Sequence, residues 1–81
     1  MTVTVLFFAA ARELAGAQSL PVELPPRATV AALRVELARR MPALAGLLAK
    51  SALAVNHDFA QDERVLLATD EVAVIPPVSG G

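Results

Sequence analysis

An α+β domain, one mixed sheet packed by a single main helix, is the fold class that this 81-residue chain predicts. Three observations predict it. Runs rich in β-branched and aromatic residues, Thr2 to Ala9 and Glu71 to Ile75, stand at the two ends and are too short and stiff for helices. Between them, Thr29 to Met41 repeats apolar residues at spacings of three and four, the mark of an amphipathic helix. Further short strand-like runs are punctuated by proline and glycine. The length fits one domain.

The elements follow in order. Thr2 to Ala9 is the first strand, with Val3, Val5 and Phe7 pointing one way and Thr4, Leu6 and Phe8 the other. Ala10 to Ala15 is a short helical turn closed by Gly16, whose lack of a Cβ suits a left-handed cap. Ser19 to Leu24 alternates as a second strand with Leu20, Val22 and Leu24 on one side. Pro21 marks it as an edge, and Pro25-Pro26 ends it. Thr29 caps the main helix, its hydroxyl accepting from an unpaired first-turn amide. Val30, Leu33, Leu37 and Met41 form the apolar stripe, Glu36 and Arg40 are spaced for an i,i+4 pair, and Pro42 stops the helix. Ala43 to Ala49, interrupted by Gly46, is expected as a helical turn packed under the sheet. Ala52 to Val55 is a third strand, Asn56-His57-Asp58 a tight turn, and Phe59 the start of a short returning strand. Gln61 to Asp70 is mostly connection, with Val65, Leu66 and Leu67 expected to pack inward. In the last strand, Glu71 to Ile75, Val72 and Val74 face one side, Ala73 and Ile75 the other. Pro76-Pro77 ends it, because proline cannot donate to a ladder.

Composition narrows the function. The formal net charge is -1, which argues against a general nucleic-acid or anionic-membrane surface, since both need a basic excess. There are no cysteines, so there is no disulfide, no Cys-based metal site and no thiol nucleophile. Hydrophobic residues make up 56%, high for so small a domain, and point to apolar surface left over for a partner. The apolar start lacks the basic segment of a signal peptide, and no apolar run is long enough to span a bilayer, so a cytoplasmic protein is expected. No phosphate-binding loop, Ser-His-Asp set or acid/base carboxylate pair is present.

The most informative segment is the end, Val78-Ser79-Gly80-Gly81 after Pro76-Pro77. By itself it also fits an ordinary frayed terminus. Read functionally, it is a thin thread. Two glycines let the backbone approach other surfaces closely and enter a tunnel that a bulkier tail would block. The Gly81 carboxylate is unhindered and achiral, so its activation carries no risk of racemisation. From Pro77 to Gly81 the thread reaches roughly 14 Å. The expected division is a domain over 1–77 and a tail over 78–81.

A paired N-terminus, one helix and a C-terminal strand ending in Gly-Gly form the ubiquitin-like β-grasp pattern, in which the first and last strands lie side by side. Within that pattern, Val5-Leu6-Phe7-Phe8-Ala9 with Arg12-Glu13-Leu14 resembles the start of the MoaD family, the small subunit of molybdopterin synthase. Thr29-Val30 with Leu33 and Leu37 resembles its helix, and Val55-Asn56 its third strand and turn. Asp70-Glu71-Val72-Ala73 and Ile75-Pro76-Pro77-Val78-Ser79-Gly80-Gly81 resemble its C-terminal signature. Thr69 departs from the glycine usual before Asp-Glu in that family. Threonine is poor at positive φ, so a reshaped turn is expected there.

The resemblance implies a sulfur carrier in molybdenum cofactor biosynthesis. An E1-like adenylating enzyme would activate Gly81 with ATP and Mg. A persulfide sulfur donor would displace AMP and leave a thiocarboxylate. The large subunit of molybdopterin synthase would then receive the tail, and the sulfur would pass to cyclic pyranopterin monophosphate, two sulfurs making the dithiolene. The complex implied is a heterotetramer. This chain itself would bind no cofactor and no metal and have no catalytic site of its own.

The expected reactive site is Gly81 with Gly80. The expected partner surface is Leu6, Phe8, Arg12, Ala73, Ile75, Pro76, Pro77, Val78 and Ser79. If Val3, Val5, Phe7, Val72 and Val74 face the helix, then Leu6, Phe8, Ala73 and Ile75 face outward beside the tail; Ala43 to Leu48 is the segment that would otherwise cover them. His57, the only histidine, reads as a solvated turn residue, and Asp58, Asp62 and Glu63 as solubilising charges. The alternatives are a carrier for the thiazole of thiamine, a ubiquitin-like protein modifier, and a β-grasp binding module with an incidental tail.

Overall fold

Alternation along the strands decides which side chains are buried, and the sheet follows from it. The computed structural model describes residues 1–78. Its elements are β1 (Thr2–Phe7), α1 (Ala9–Ala15), β2 (Ser19–Glu23), α2 (Val30–Arg40), α3 (Ala45–Leu48), β3 (Ala52–Val55), β4 (Asp58–Ala60) and β5 (Glu71–Ile75). A single tight helical turn, Pro42–Leu44, precedes α3. The strands form one five-stranded sheet in the order β2-β1-β5-β3-β4. β1 and β5 are parallel and the other neighbours antiparallel, which is the β-grasp arrangement.

One face of the sheet carries the core. Val3, Val5 and Phe7 of β1, Val72 and Val74 of β5, and Leu53 and Val55 of β3 are buried against Val30, Leu33 and Leu37 of α2. Leu44 and Leu48 close the same core. Burying such a side chain stabilises by roughly 1.5–3 kcal/mol relative to exposing it. The helix begins where Thr29 Oγ1 accepts from Ala32 N at 3.2 Å, as its sequence predicts. Glu36 accepts from both Arg40 (2.6 Å) and Arg39 (2.6 Å), so the expected pair is a triad. Gly16 caps α1 at φ 71°.

Several elements differ from expectation. β1 stops at Phe7, because the chain turns through Phe8 and Ala9 (φ 49°) to start α1. β2 likewise ends at Glu23. Asp58 belongs to β4, which leaves Asn56 and His57 as a two-residue hairpin turn at φ 50° and 76°. Of the three residues expected inward, only Leu66 is buried; Val65 and Leu67 are exposed. The reason is geometric. This stretch is extended, with Thr29 bridged to Val65 and Leu66 N donating to Ala28 O at 2.8 Å, so alternate side chains must diverge. The turn at Thr69 needs no positive φ. Among the described residues other than glycine, positive φ is confined to Ala9, Arg27, Asn56 and His57.

Two polar clasps fix the connections. Buried Asp70 accepts from Asn56 Nδ2 (2.9 Å) and from Leu67 N (2.8 Å), while Asn56 Oδ1 accepts from Glu71 N at 3.0 Å. This ties the hairpin turn to the first residue of β5. Arg34 donates to Leu48 O (2.6 Å), Ser51 O (3.0 Å) and Asp62 Oδ1 (2.9 Å), fixing the corner between α3 and β3. Among the described residues, no helix is long and apolar enough to cross a membrane.

Asp70→Ala would strand two donors, and is expected to lower unfolding stability by about 1–3 kcal/mol in urea denaturation. The hydrogen bonds from Arg39 and then Arg40 pull the Glu36 carboxyl from the ordinary 4.5 to about 2. A depressed folded-state value contributes stability above the unfolded value of 4.5, lost as pH falls through about 2. Glu36→Gln should therefore flatten the loss of stability between those two pH values, read by thermal melts across the range.

Candidate functional site

The side of the sheet away from the helices carries the residues left over by alternation. In register across it stand Leu6 opposite Ala73, Ala73 opposite Ala54, and Ala54 opposite Phe59. Three inter-strand steps separate Leu6 from Phe59, roughly 14 Å. The two central alanines are small, and the outer Leu6 and Phe59 are large. The row therefore forms a trough, with a volume of about 210 Å³. Phe8 and Ile75 extend it toward the end of β5, and His57 and Glu71 close it at the opposite end. Phe8 is 48% exposed and Phe59 74%, unusual for aromatic side chains in so small a fold.

Leu6, Phe8, Ala73 and Ile75 thus share the outer face and line one depression. The segment Ala43 to Leu48 does not cover them; Leu44 and Leu48 are spent on the core beneath the other face. Arg12 lies on α1 in an adjoining hollow of about 220 Å³, with Leu6, Phe8, Gln18 and Ser19. Among the described residues it has no ion-pair partner. Pro76 and Pro77 leave the central strand beside Ile75, and Val78 is 91% exposed. Ser79, Gly80 and Gly81 lie outside the described residues.

Ala54, Phe59 and His57 join the trough without having been assigned to it from sequence. The signal for Phe59 was present. A two-residue turn at Asn56-His57 fixes the hairpin register and sets Phe59 opposite Ala54, on the face of Ala73. His57 is exposed, as expected of a turn residue, yet lines the trough. Asp62 pairs with Arg34 at 2.9 Å and does not join Asp58 and Glu63 in a cluster.

Adjacent phenylalanines separate the two faces. Phe7→Ala, which empties core volume, is expected to cost about 3–5 kcal/mol, whereas Phe8→Ala and Phe59→Ala should each cost under about 1 kcal/mol. Denaturant unfolding of the three variants checks this.

Known proteins bear on the site at this point. The family model described as the ThiS family matches residues 5–81. The molybdopterin synthase sulfur carrier subunit of Arabidopsis thaliana is 37% identical over 79 residues, 98% of this chain and 82% of that protein. Among solved structures, the putative molybdopterin converting factor subunit 1 of Pyrococcus furiosus superposes at TM-score 0.89 with 31% identity, over 96% of this chain and 99% of that one. SAMP1, the small archaeal modifier protein 1 of Haloferax volcanii, does so at TM-score 0.89 and 28% identity over 100% of both chains. The match runs through the strands that build the trough and on through the Pro76–Gly81 segment, and the chain belongs to the ThiS family.

Proposed function

We propose that this chain is the sulfur carrier subunit of a molybdopterin synthase, working through a thiocarboxylate at Gly81. The carrying observation is a juxtaposition. The central strand ends in Pro76-Pro77 beside an uncovered apolar trough, in a chain related along its length to molybdopterin synthase sulfur carrier subunits.

The chemistry needs no catalytic group from this chain. A carboxylate is a poor electrophile because its leaving group would be oxide. Attack of the Gly81 carboxylate oxygen on the α-phosphate of ATP, with Mg held by an E1-like adenylating enzyme, releases pyrophosphate and gives an acyl-adenylate. The terminal sulfur of a persulfide donor then displaces AMP from the carbonyl carbon. Cleavage of the resulting acyl disulfide by a thiol leaves the thiocarboxylate. Its sulfur is soft and anionic, a ready nucleophile toward cyclic pyranopterin monophosphate in the large subunit. Two loaded copies supply the two sulfurs of one dithiolene. A cytoplasmic site, where ATP and thiol persulfides are both at hand, fits this chemistry.

The protein's own contribution is delivery. Leu6, Phe8, Phe59 and Ile75 offer an apolar docking face, and partly exposed aromatics of this kind anchor interfaces. Arg12 adds a charged contact beside Phe8. Ordering the tail costs on the order of 1–2 kcal/mol per residue, a cost that Pro76 and Pro77 reduce at its base. The activating enzyme and the large subunit would use the same face in turn, so they exclude one another.

The likeness to SAMP1 favours one second reading, a modifier joined through Gly81 to lysines of other proteins. One experiment separates the two. The intact chain is incubated with its activating enzyme, ATP and a persulfide donor, then weighed. The expected result is a mass gain equal to one oxygen replaced by sulfur, lost on addition of large subunit and pterin precursor, and absent when Gly81 is deleted. No gain overturns the sulfur-carrier reading; amide-linked adducts instead favour the modifier.

A further inference from the structure

A second, larger hollow adjoins the tail on the other side of its base, with a volume of about 500 Å³. Ala9 and Ala10 at the start of α1 form one wall, and Pro76 to Val78 form another. Leu47 and Lys50, from the corner between α3 and β3, form the third. Lys50 is the only lysine in the chain. It is exposed, and among the described residues it has no ion-pair partner. No acidic residue lines the hollow.

Hydrogen bonds tie down the backbone under Lys50. Its own N–H donates to Leu47 O at 3.1 Å, and buried Ser51 donates its hydroxyl to the same carbonyl at 2.7 Å. Arg34 holds the carbonyls of Leu48 and Ser51 on either side. The ammonium is thus carried on a flexible stem from a fixed point, at the rim of an otherwise apolar groove.

We propose that this groove is a second docking surface for the large subunit that accepts the tail, and that it receives an apolar segment bearing a carboxylate that pairs with Lys50. This inference rests on the sulfur-carrier reading. Two physical points support the occupant. Pro76 to Val78 belong at once to the groove and to the base of the tail, so a protein gripping the tail up to its base must cover the groove. Covering an unpaired ammonium with apolar surface is costly, and the groove walls supply no counter-charge, so the covering surface has to bring one. The Lys50 pair would then act with the trough, one contact on each side of the departing chain, and fix the angle at which the tail enters.

The test measures binding of the full chain to purified large subunit by calorimetry, at low and at physiological salt. Lys50→Met is expected to weaken binding about 3–5-fold and Lys50→Glu about 10-fold or more, while Lys50→Arg stays within about twofold. The affinity of Lys50→Met should also depend less on salt than that of the wild type. Unchanged melting temperatures show that all three variants fold. If Lys50→Met and Lys50→Glu bind like the wild type with the same salt dependence, the inference is wrong. Tighter binding by Lys50→Met would instead mean that Lys50 holds this chain's own tail, and self-association lost in Lys50→Glu would mean a second copy; either overturns it. Phe59→Ala, measured alongside, distinguishes the failures. Weakening by Phe59→Ala with no effect at Lys50 removes only this inference, whereas no effect from any variant removes the docking reading itself.

Discussion

The parallel pairing of β1 with β5 is the constraint on which the remaining architecture rests. It joins the first strand of the chain to the last and places both in the middle of the sheet, with β2 and β4 at the edges. Long-range pairing of this kind carries a loop-closure cost that burial of the core must offset. It also determines where the chain departs. A final strand at an edge would release Pro76-Pro77 beside one neighbour. In the centre, the release point lies between the start of α1 on one side and the trough on the other.

Polar groups hold that central strand at its start. Asp70 is buried and uses both carboxylate oxygens, and Asn56 both donates to Asp70 and accepts from Glu71. The hairpin turn feeding this clasp places His57 at φ 76°, in a region that costs a non-glycine residue roughly 1–2 kcal/mol. The strain sits beside the trough, and the clasp and the hairpin ladder over-determine it. On the opposite side, Arg34 does comparable work by gathering the carbonyls of the α3–β3 corner. One clasp thus fixes the start of β5 and the other the corner between α3 and β3.

The sheet divides its hydrophobic residues by purpose. Those facing the helices are valine, leucine and one phenylalanine, all close to fully buried. Those on the other face are fewer and include the two exposed phenylalanines, around a floor of alanines. This explains a hydrophobic content of 56% in a small domain: part of it never enters the core. Large residues at Ala54 and Ala73 would fill the trough and leave a flat surface. Small residues at the centre and large ones at the margin give a partner something to insert into.

The sequence by itself determined the strands, the capped helix and the separation of Phe7 from Phe8, because each depends on local periodicity, proline punctuation or a single side-chain cap. It also determined the family likeness, through motifs at both ends. Val65 and Leu67 are exposed against the sequence expectation, because composition says nothing about which alternate positions of an extended connection meet the core; the bridge from Thr29 to Val65 decides that. Hairpin register puts Phe59 opposite Ala54, but Phe59, His57 and Ala54 join Leu6, about fifty residues away along the chain, only through the strand order, with β5 and its Ala73 between them. The same holds for Lys50, Ala9 and Val78. Local sequence specifies elements and faces, whereas the trough and the groove are made by strands and corners distant in sequence, and only their packing into one sheet order brings them together.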